Sequence, residues 1–582
     1  MERQPLYFTI LILSIMIGSC FYVSYVVDRG MGEVSVERLS IESFSNRTVE
    51  FLVYSPRSAI HVEPMPAILT IHGLTGTKEG LYAFNVELAR RNFTVVSVDL
   101  PGHGDSSLGF DITNFTEMAQ DAYAALRYVQ TTYPSVNDSY GVLTHSLGFR
   151  VAIELEDFPI TPMAYVAVGD VGKISQDEFV DFPQNLLFAM GSMDEIVTRQ
   201  DALQALRIAT GVNTAVEDVT YGSLDAGTAY RLVFAPSNHV FEAVSRRLVT
   251  EAISWMVQGV LGEDQLEHTY DSSDQVIQYR TPATILASFL ILVSVIPVMW
   301  LLYNLLPERL KPRQTSTESK PFNTRRTFMI SSIFGSLTVL IFAGSSLLGL
   351  TLEDTGIYLL NSMSTTGLVL FFLLGAAVLS LVMFILREFS QMWELLGFVD
   401  LKKSNIKDYV YEFLKNLVVA LGGVLWVLIW VGVASASQTS PSILLLLVKW
   451  PIGIRWVNVV LLTCIIIPFL LVEATWIRAL MMSENVFAGR FNRTTAFIFT
   501  LISKFAVIAL LSILVIIGTT AAGVSGGRIV LLSVIWVRIL LIQVLATVIL
   551  AWTEIEFKNT WSAIMVSAFI LSLVMITTVP LI

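Results

Sequence analysis

The residues whose types and spacing could do chemistry centre on Thr144-His145-Ser146-Leu147-Gly148. Tyr140 to Leu143 ahead of them reads as a strand, and Phe149 to Leu155 behind them as a helix with one apolar face. A sharp turn from strand to helix is the setting that lifts a serine hydroxyl clear of a sheet edge as a nucleophile. Such a hydroxyl is weakly nucleophilic at neutral pH and needs a histidine to take its proton during attack. The histidine in turn needs a carboxylate on its other ring nitrogen. All six histidines lie between residues 28 and 280, and no H-E-x-x-H motif occurs anywhere. The expected chemistry is therefore that of a serine nucleophile, with no metal and no organic cofactor.

The elements that must position these groups alternate between residues 47 and 260. Ala67 to Ile71, Thr94 to Leu100, Gly141 to Thr144, Ala164 to Val168, Leu186 to Met190 and Arg231 to Ala235 are short, apolar and rich in β-branched residues. Runs of that kind suit a parallel sheet buried on both faces. Helical patterns near 79–91, 115–132, 147–156, 200–208 and 241–258 separate them. The predicted fold class is α/β, a mostly parallel sheet with helices on both faces and a site at the carboxyl ends of its strands.

Pro66 to Ser106, which reads PAILTIHGLTGTKEG…TVVSVDLPGHGDSS, resembles the α/β-hydrolase superfamily, especially its lipase-, esterase- and serine-aminopeptidase-like branches. The turn at Ser146, Gly191-Ser192-Met193-Asp194 and Asn238-His239 follow in that superfamily's order, and the resemblance covers about 210 residues. It implies Ser146 as nucleophile, His239 as base and Asp194 as the acid. Asp170, at the end of the preceding strand, is the alternative acid, and Glu195 a lesser rival. It also implies an oxyanion hole from the backbone N–H groups of Leu147 and Leu74. His72, His103, His145 and Asp105 are expected to be structural. One departure stands out: the position two before the serine is usually glycine, and here it is Thr144. About fifteen residues separate Asp170 from Leu186, too few for the helical cap that many relatives insert there.

Charge and hydropathy divide the chain. Residues 28–280 carry 34 acidic and 16 basic side chains, a net charge of −18, against +7 for the remainder. An acidic domain offers nucleic acid no footprint, so nucleic-acid binding is excluded. Leu6 to Val27 is apolar and long enough to cross a bilayer. It is read as an uncleaved signal anchor, with lipidation at Cys20 as the alternative reading. Eight further spans are expected near 283–304, 328–349, 367–386, 415–436, 456–475, 497–518, 529–551 and 561–581. Alternate loops are basic, which places them in the cytoplasm and puts residues 28–280 and the C-terminus outside. Asn46, Asn92, Asn114 and Asn137 open glycosylation sequons in the outer segment; Asn492 opens one in a loop expected to be cytoplasmic.

Three regions are thus expected: an anchor at 1–27, an extracytoplasmic hydrolase domain at 28–280 and a membrane domain at 281–582. The expected activity is cleavage of an ester or amide bond through an acyl-serine intermediate. The partners would be the lipid bilayer and a small acylated, lipid or peptide substrate. A transporter or receptor that keeps the hydrolase fold only for binding is the alternative. Within the spans, Glu473, Lys504 and Arg538 are read as ion pairs or snorkelling side chains ahead of a transport path.

Overall fold

The computed structural model describes residues 3–43, 46–57, 64–172, 183–262, 269–314, 324–363, 365–386, 405–437, 449–478, 498, 501–502, 504–514, 527–577 and 579–582. It forms two compact units. The α/β unit comprises Gly18–Ala287 with Ala434–Lys449 and Pro580–Ile582; the helical unit comprises Met1–Ile17, Ser288–Val433 and Trp450–Val579.

In chain order the elements up to residue 256 are α1 (Arg3–Val27), most of it in the helical unit, β1 (Val34–Glu42), β2 (Thr48–Pro56), β3 (Met65–Ile71), α2 (Tyr82–Ala89), β4 (Thr94–Val98), α3 (Phe115–Thr132), β5 (Val136–His145), α4 (Leu147–Ile153), β6 (Tyr165–Val168), β7 (Leu186–Gly191), α5 (Arg199–Thr210), β8 (Thr220–Tyr221), β9 (Tyr230–Ala235) and α6 (Arg246–Met256). The nine strands make one sheet in the order β1-β2-β4-β3-β5-β6-β7-β9-β8. From β4 through β9 neighbours run parallel, while β1, β2 and β8 add antiparallel margins. All six expected strands are present, and the α/β class with helices packed on a mostly parallel sheet is borne out. Strands β4, β6 and β7 are buried along their whole length, as a sheet covered on both faces requires. α3 and α5 begin on side-chain caps, Asn114 accepting from the N–H of Glu117 and Thr198 from that of Asp201.

The chain's later segments complete this unit. Lys449 Nζ pairs with Asp105 at 2.6 Å, Glu79 at 3.0 Å and Asp99 at 3.6 Å. Lys78 Nζ, wholly buried, shares Asp99 and Asp105. Burial alone would raise these three carboxyls, but Lys449 and Lys78 outweigh it and hold all three below the usual range. Near the chain's end, the N–H of Leu581 donates to Gly102 and its carbonyl accepts from Phe110, on the loop after β4.

Among the described residues, six helices are long and apolar enough to cross a membrane: Leu6–Val27, Ile277–Leu305, Met329–Asp354, Thr365–Ile385, Ile406–Ala436 and Ile454–Trp476. Trp561–Thr577 is apolar but shorter, and Gly527–Phe557 is a further long helix. Much of the expected 497–518 span, Asn492 and the basic loops at 315–323, 387–404 and 479–497 lie outside the described residues, as does the side chain of Arg538. Inside the helical unit, Lys504 Nζ donates to Glu473 and to Thr547 Oγ1, which bears out the ion-pair reading of those two spans. A Cβ on Gly349 would lie 2.4 Å from the backbone of Gly367, so the helices carrying them meet through glycine.

Replacing Lys449 by Met in the full chain leaves buried carboxylates short of a cation. The α/β unit is expected to lose about 3–5 kcal/mol, read as a lower thermal midpoint. Groups with depressed pKa values stabilise above their unfolded values near 4 and lose that contribution as pH falls. The wild type is therefore expected to outlast Lys449→Met most clearly above pH ~4 and to converge on it in acid.

Candidate active site

Ser146 sits between β5 and α4 with φ 51° and ψ −125°, a backbone region that non-glycine residues rarely adopt. That strain is tolerated because its surroundings are built from small residues. A Cβ on Gly148 would come within 2.3 Å of the Ile71 carbonyl, and one on Gly73 within 2.9 Å of both the His145 carbonyl and Ser146 Cβ. Glycine at these two positions lets β3 and α4 close around the turn.

The structure brings Ser146, His239 and Asp194 into one chain of hydrogen bonds. Ser146 Oγ lies 3.0 Å from His239 Nε2, and His239 Nδ1 lies 2.9 Å from Asp194 Oδ2. The Asp194 side chain is fully buried, and its Oδ1 accepts the N–H groups of Ile196 and Val197 at 2.6 and 3.0 Å. Burial would raise its carboxyl, but the hydrogen bond and charge of His239 and these two amides outweigh it and hold the pKa below the usual value.

The two rivals of Asp194 are engaged elsewhere. Asp170 Oδ1 accepts the N–H groups of Val171 and Gly172, and its Oδ2 faces Arg150 at 3.4 Å. Glu195 accepts the backbone N–H of His239 at 3.2 Å and leaves the ring to Asp194.

Leu147 opens α4, so its N–H has no acceptor within the helix. The peptide that carries the Leu74 N–H is held through its other end, the Gly73 carbonyl. That oxygen accepts from His72 Nδ1 at 2.8 Å and from the Gly76 N–H at 3.0 Å. His72 Nε2 accepts the N–H of Leu100 at 3.1 Å, which fixes the proton on Nδ1. Burial lowers the His72 pKa and keeps the ring neutral. His72 thereby sets the plane of the Gly73–Leu74 peptide. His103 packs against His72 at a ring separation of 5.0 Å.

His145 donates from Nε2 to the His239 carbonyl at 3.1 Å and so ties the end of β5 to the histidine loop. Burial, then the neighbouring His239, push its pKa down to about 3. Glu242, which the sequence reading passed over, contributes a buried carboxyl 3.6 Å from His239 Nδ1. His145, His239 and Glu242 place ligand-type atoms close together, yet both rings are already committed to hydrogen bonds in the cluster.

Thr144 is accommodated without distortion. It continues β5, paired in register with Ile71 and Ala167, and its fully buried hydroxyl donates to the Val166 carbonyl. Restoring the customary glycine by Thr144→Gly is expected to lower stability by about 1–3 kcal/mol through lost packing and added chain entropy. A thermal melt checks this, and a variant more stable than the wild type would contradict it.

Comparisons with known proteins bear on the same region. The family described as serine aminopeptidase, S33, matches residues 62–157, from ahead of β3 through Ser146 to just beyond α4. A probable alcohol acetyltransferase of Cyberlindnera fabianii is 26% identical over 95 residues, which cover 16% of this chain and 24% of that protein. The chain thus spans about a quarter of that relative's length. Among solved structures, an esterase of Pyrococcus furiosus aligns over 40% of this chain and 93% of its own, at 14% identity and a TM-score of 0.29. A cold-adapted esterase from an Arctic intertidal metagenomic library aligns over 39% and 95%, at 17% identity and a TM-score of 0.29. The family match supports an α/β-hydrolase domain as the part of the chain that carries Ser146.

Proposed function

We propose that the chain is a membrane-bound serine hydrolase that cleaves ester or amide bonds through an acyl-serine intermediate on the outer membrane face. The observation that carries this reading is the unbroken sequence of contacts from Ser146 Oγ through His239 to the buried Asp194. Ser146 Oγ attacks the carbonyl carbon of the substrate while His239 Nε2 takes its proton. Asp194 holds Nδ1–H and stabilises the imidazolium that forms. The carbonyl oxygen becomes an oxyanion between the N–H groups of Leu147 and Leu74, where fixed donors act on charge that exists only in the transition state. Collapse expels the alcohol or amine, which receives the proton from His239. Water, activated by the same imidazole, then releases the acid and restores Ser146.

The acyl-serine stage also admits an alcohol in place of water, giving acyl transfer. The short likeness to a probable alcohol acetyltransferase is what favours this second reading. Substrate class is proposed as a small acylated molecule, lipid or peptide, met at the bilayer to which the apolar helices would anchor the enzyme.

Membranes containing the intact protein are expected to react covalently with a fluorophosphonate probe, and Ser146→Ala to abolish the labelling. Asp194→Asn, which keeps shape but favours the wrong histidine tautomer, is expected to slow turnover of a short ester by about 10⁴-fold. Well-folded wild-type protein that takes no label at any pH tested would overturn the enzyme reading in favour of a binding role for the domain.

A further inference from the structure

Glu242 sits beside the Ser146–His239–Asp194 chain with its side chain fully buried. Oε1 accepts the N–H of Gly191, the last residue of β7. Oε2 lies 3.6 Å from His239 Nδ1 and 3.9 Å from His145 Nε2. The backbone has been cleared around this group: a Cβ on Gly169 would fall 2.2 Å from Oε2, and one on Gly191 2.8 Å from Oε1. A single carboxyl thus touches the segments that end or follow β5, β6, β7 and β9.

The titratable groups that face it are His145 from the end of β5, Asp194 and Glu195 from the turn after β7, and His239 from the loop after β9. None of them offers Oε2 an uncommitted N–H. His145 is neutral and donates to the His239 carbonyl, His239 Nδ1 is engaged with Asp194, and the two acids repel it. Among the described residues, Oε2 as a carboxylate has no donor facing it and is left unsatisfied. As a carboxylic acid, it has a proton to give and Asp194 within hydrogen-bonding reach. Burial first, then the charge of Asp194, accordingly raise its pKa well above the usual carboxyl value. Two buried carboxyls within hydrogen-bonding reach of one another share one proton between them.

We propose that Glu242 is a positioning residue of the hydrolase, a neutral carboxylic acid that accepts from Gly191 and donates to Asp194. It locks the turn that carries the acid to the loop that carries the base. Asp194 already accepts Ile196 and Val197 on Oδ1, and the Glu242 proton completes its shell without displacing His239 from Oδ2. Neutrality matters because an ionised Glu242 would place a second negative charge beside the ring and favour its protonation before attack. The inference rests on the proposed hydrolase activity.

The test compares Glu242→Leu and Glu242→Gln in the full chain, with the rate of fluorophosphonate labelling as the first readout. Glu242→Leu is expected to slow labelling by about 10–100-fold. Glu242→Gln, which keeps one donor and one acceptor, is expected to recover most of that loss. The second readout is difference infrared spectroscopy at neutral pH: the wild type should show a protonated-carboxyl band that Glu242→Gln lacks. Wild-type rates in Glu242→Leu would overturn the positioning role. Glu242→Gln as slow as Glu242→Leu, or no protonated-carboxyl band lost on substitution, would overturn the neutral state. A wild type that never labels would sink the hydrolase reading, while the infrared band would still decide the state of Glu242.

Discussion

The close approach of β3, β5 and α4 at Gly73 and Gly148 is the constraint on which the site depends. With Cβ atoms there, the Ile71 and His145 carbonyls would collide with the turn, and Ser146 could not hold its positive φ. A serine in an ordinary helical or extended conformation would point into the sheet or along it. The strained conformation instead aims Oγ at His239, and the cost of about 1–3 kcal/mol is borne by the sheet packed behind it. Gly73 makes a second contribution from the same spot, because its carbonyl is the handle by which His72 turns the Leu74 N–H. Ser146 and the Leu74 N–H are therefore set by the same pair of neighbouring glycines.

Around that constraint the site is organised to keep charge scarce. His72 and His145 are both held neutral, each donating to a main-chain carbonyl, so they orient backbone without adding positive charge. Asp194 is the carboxyl held low by its partners, while Asp170 and Glu242 are raised by burial. The result is one carboxylate in direct contact with one imidazole. The base role proposed for His239 would need this balance, since each extra charge would bias the ring toward one protonation state.

Much of this was legible in the residues. The six parallel strands are apolar on both faces, so their runs are conspicuous, and the strand–serine–helix turn is a local pattern. The margins were harder. β1 alternates partly buried and exposed positions and β8 is two residues long, so neither gives a continuous apolar signal. Glu242 was invisible for another reason: an acid three residues beyond a histidine reads as an ordinary helix-start carboxylate until the fold buries it against Asp194. Thr144 departs from the usual glycine, and the glycine rule is a rule about space. Here the space is filled by a hydroxyl that finds the Val166 carbonyl across the sheet. Lys449 could not have been assigned at all, since it lies more than 340 residues from the carboxylates it serves.

That long-range pairing bears on how the chain is threaded. The α/β unit is left at Ala287, re-entered at Ala434–Lys449, left again, and rejoined at Pro580–Ile582. If the apolar helices cross a bilayer, each excursion must contain an even number of crossings to return to the same side. Among the described residues the first holds the helices Arg280–Leu305, Thr324–Asp354, Thr365–Ile385 and Ile406–Ala436, which make four. The second spans the four segments read from hydropathy between 456 and 581. Even parity in both excursions is also what the alternation of basic and basic-poor loops requires, although that pattern comes from charge alone. If the helices do cross a bilayer, the ion pairing at Lys449 and the expected distribution of arginine and lysine between spans are compatible with the same threading. Two segments late in the chain thus reach the unit that holds Ser146, Lys449 with a cation and Leu581 with its backbone.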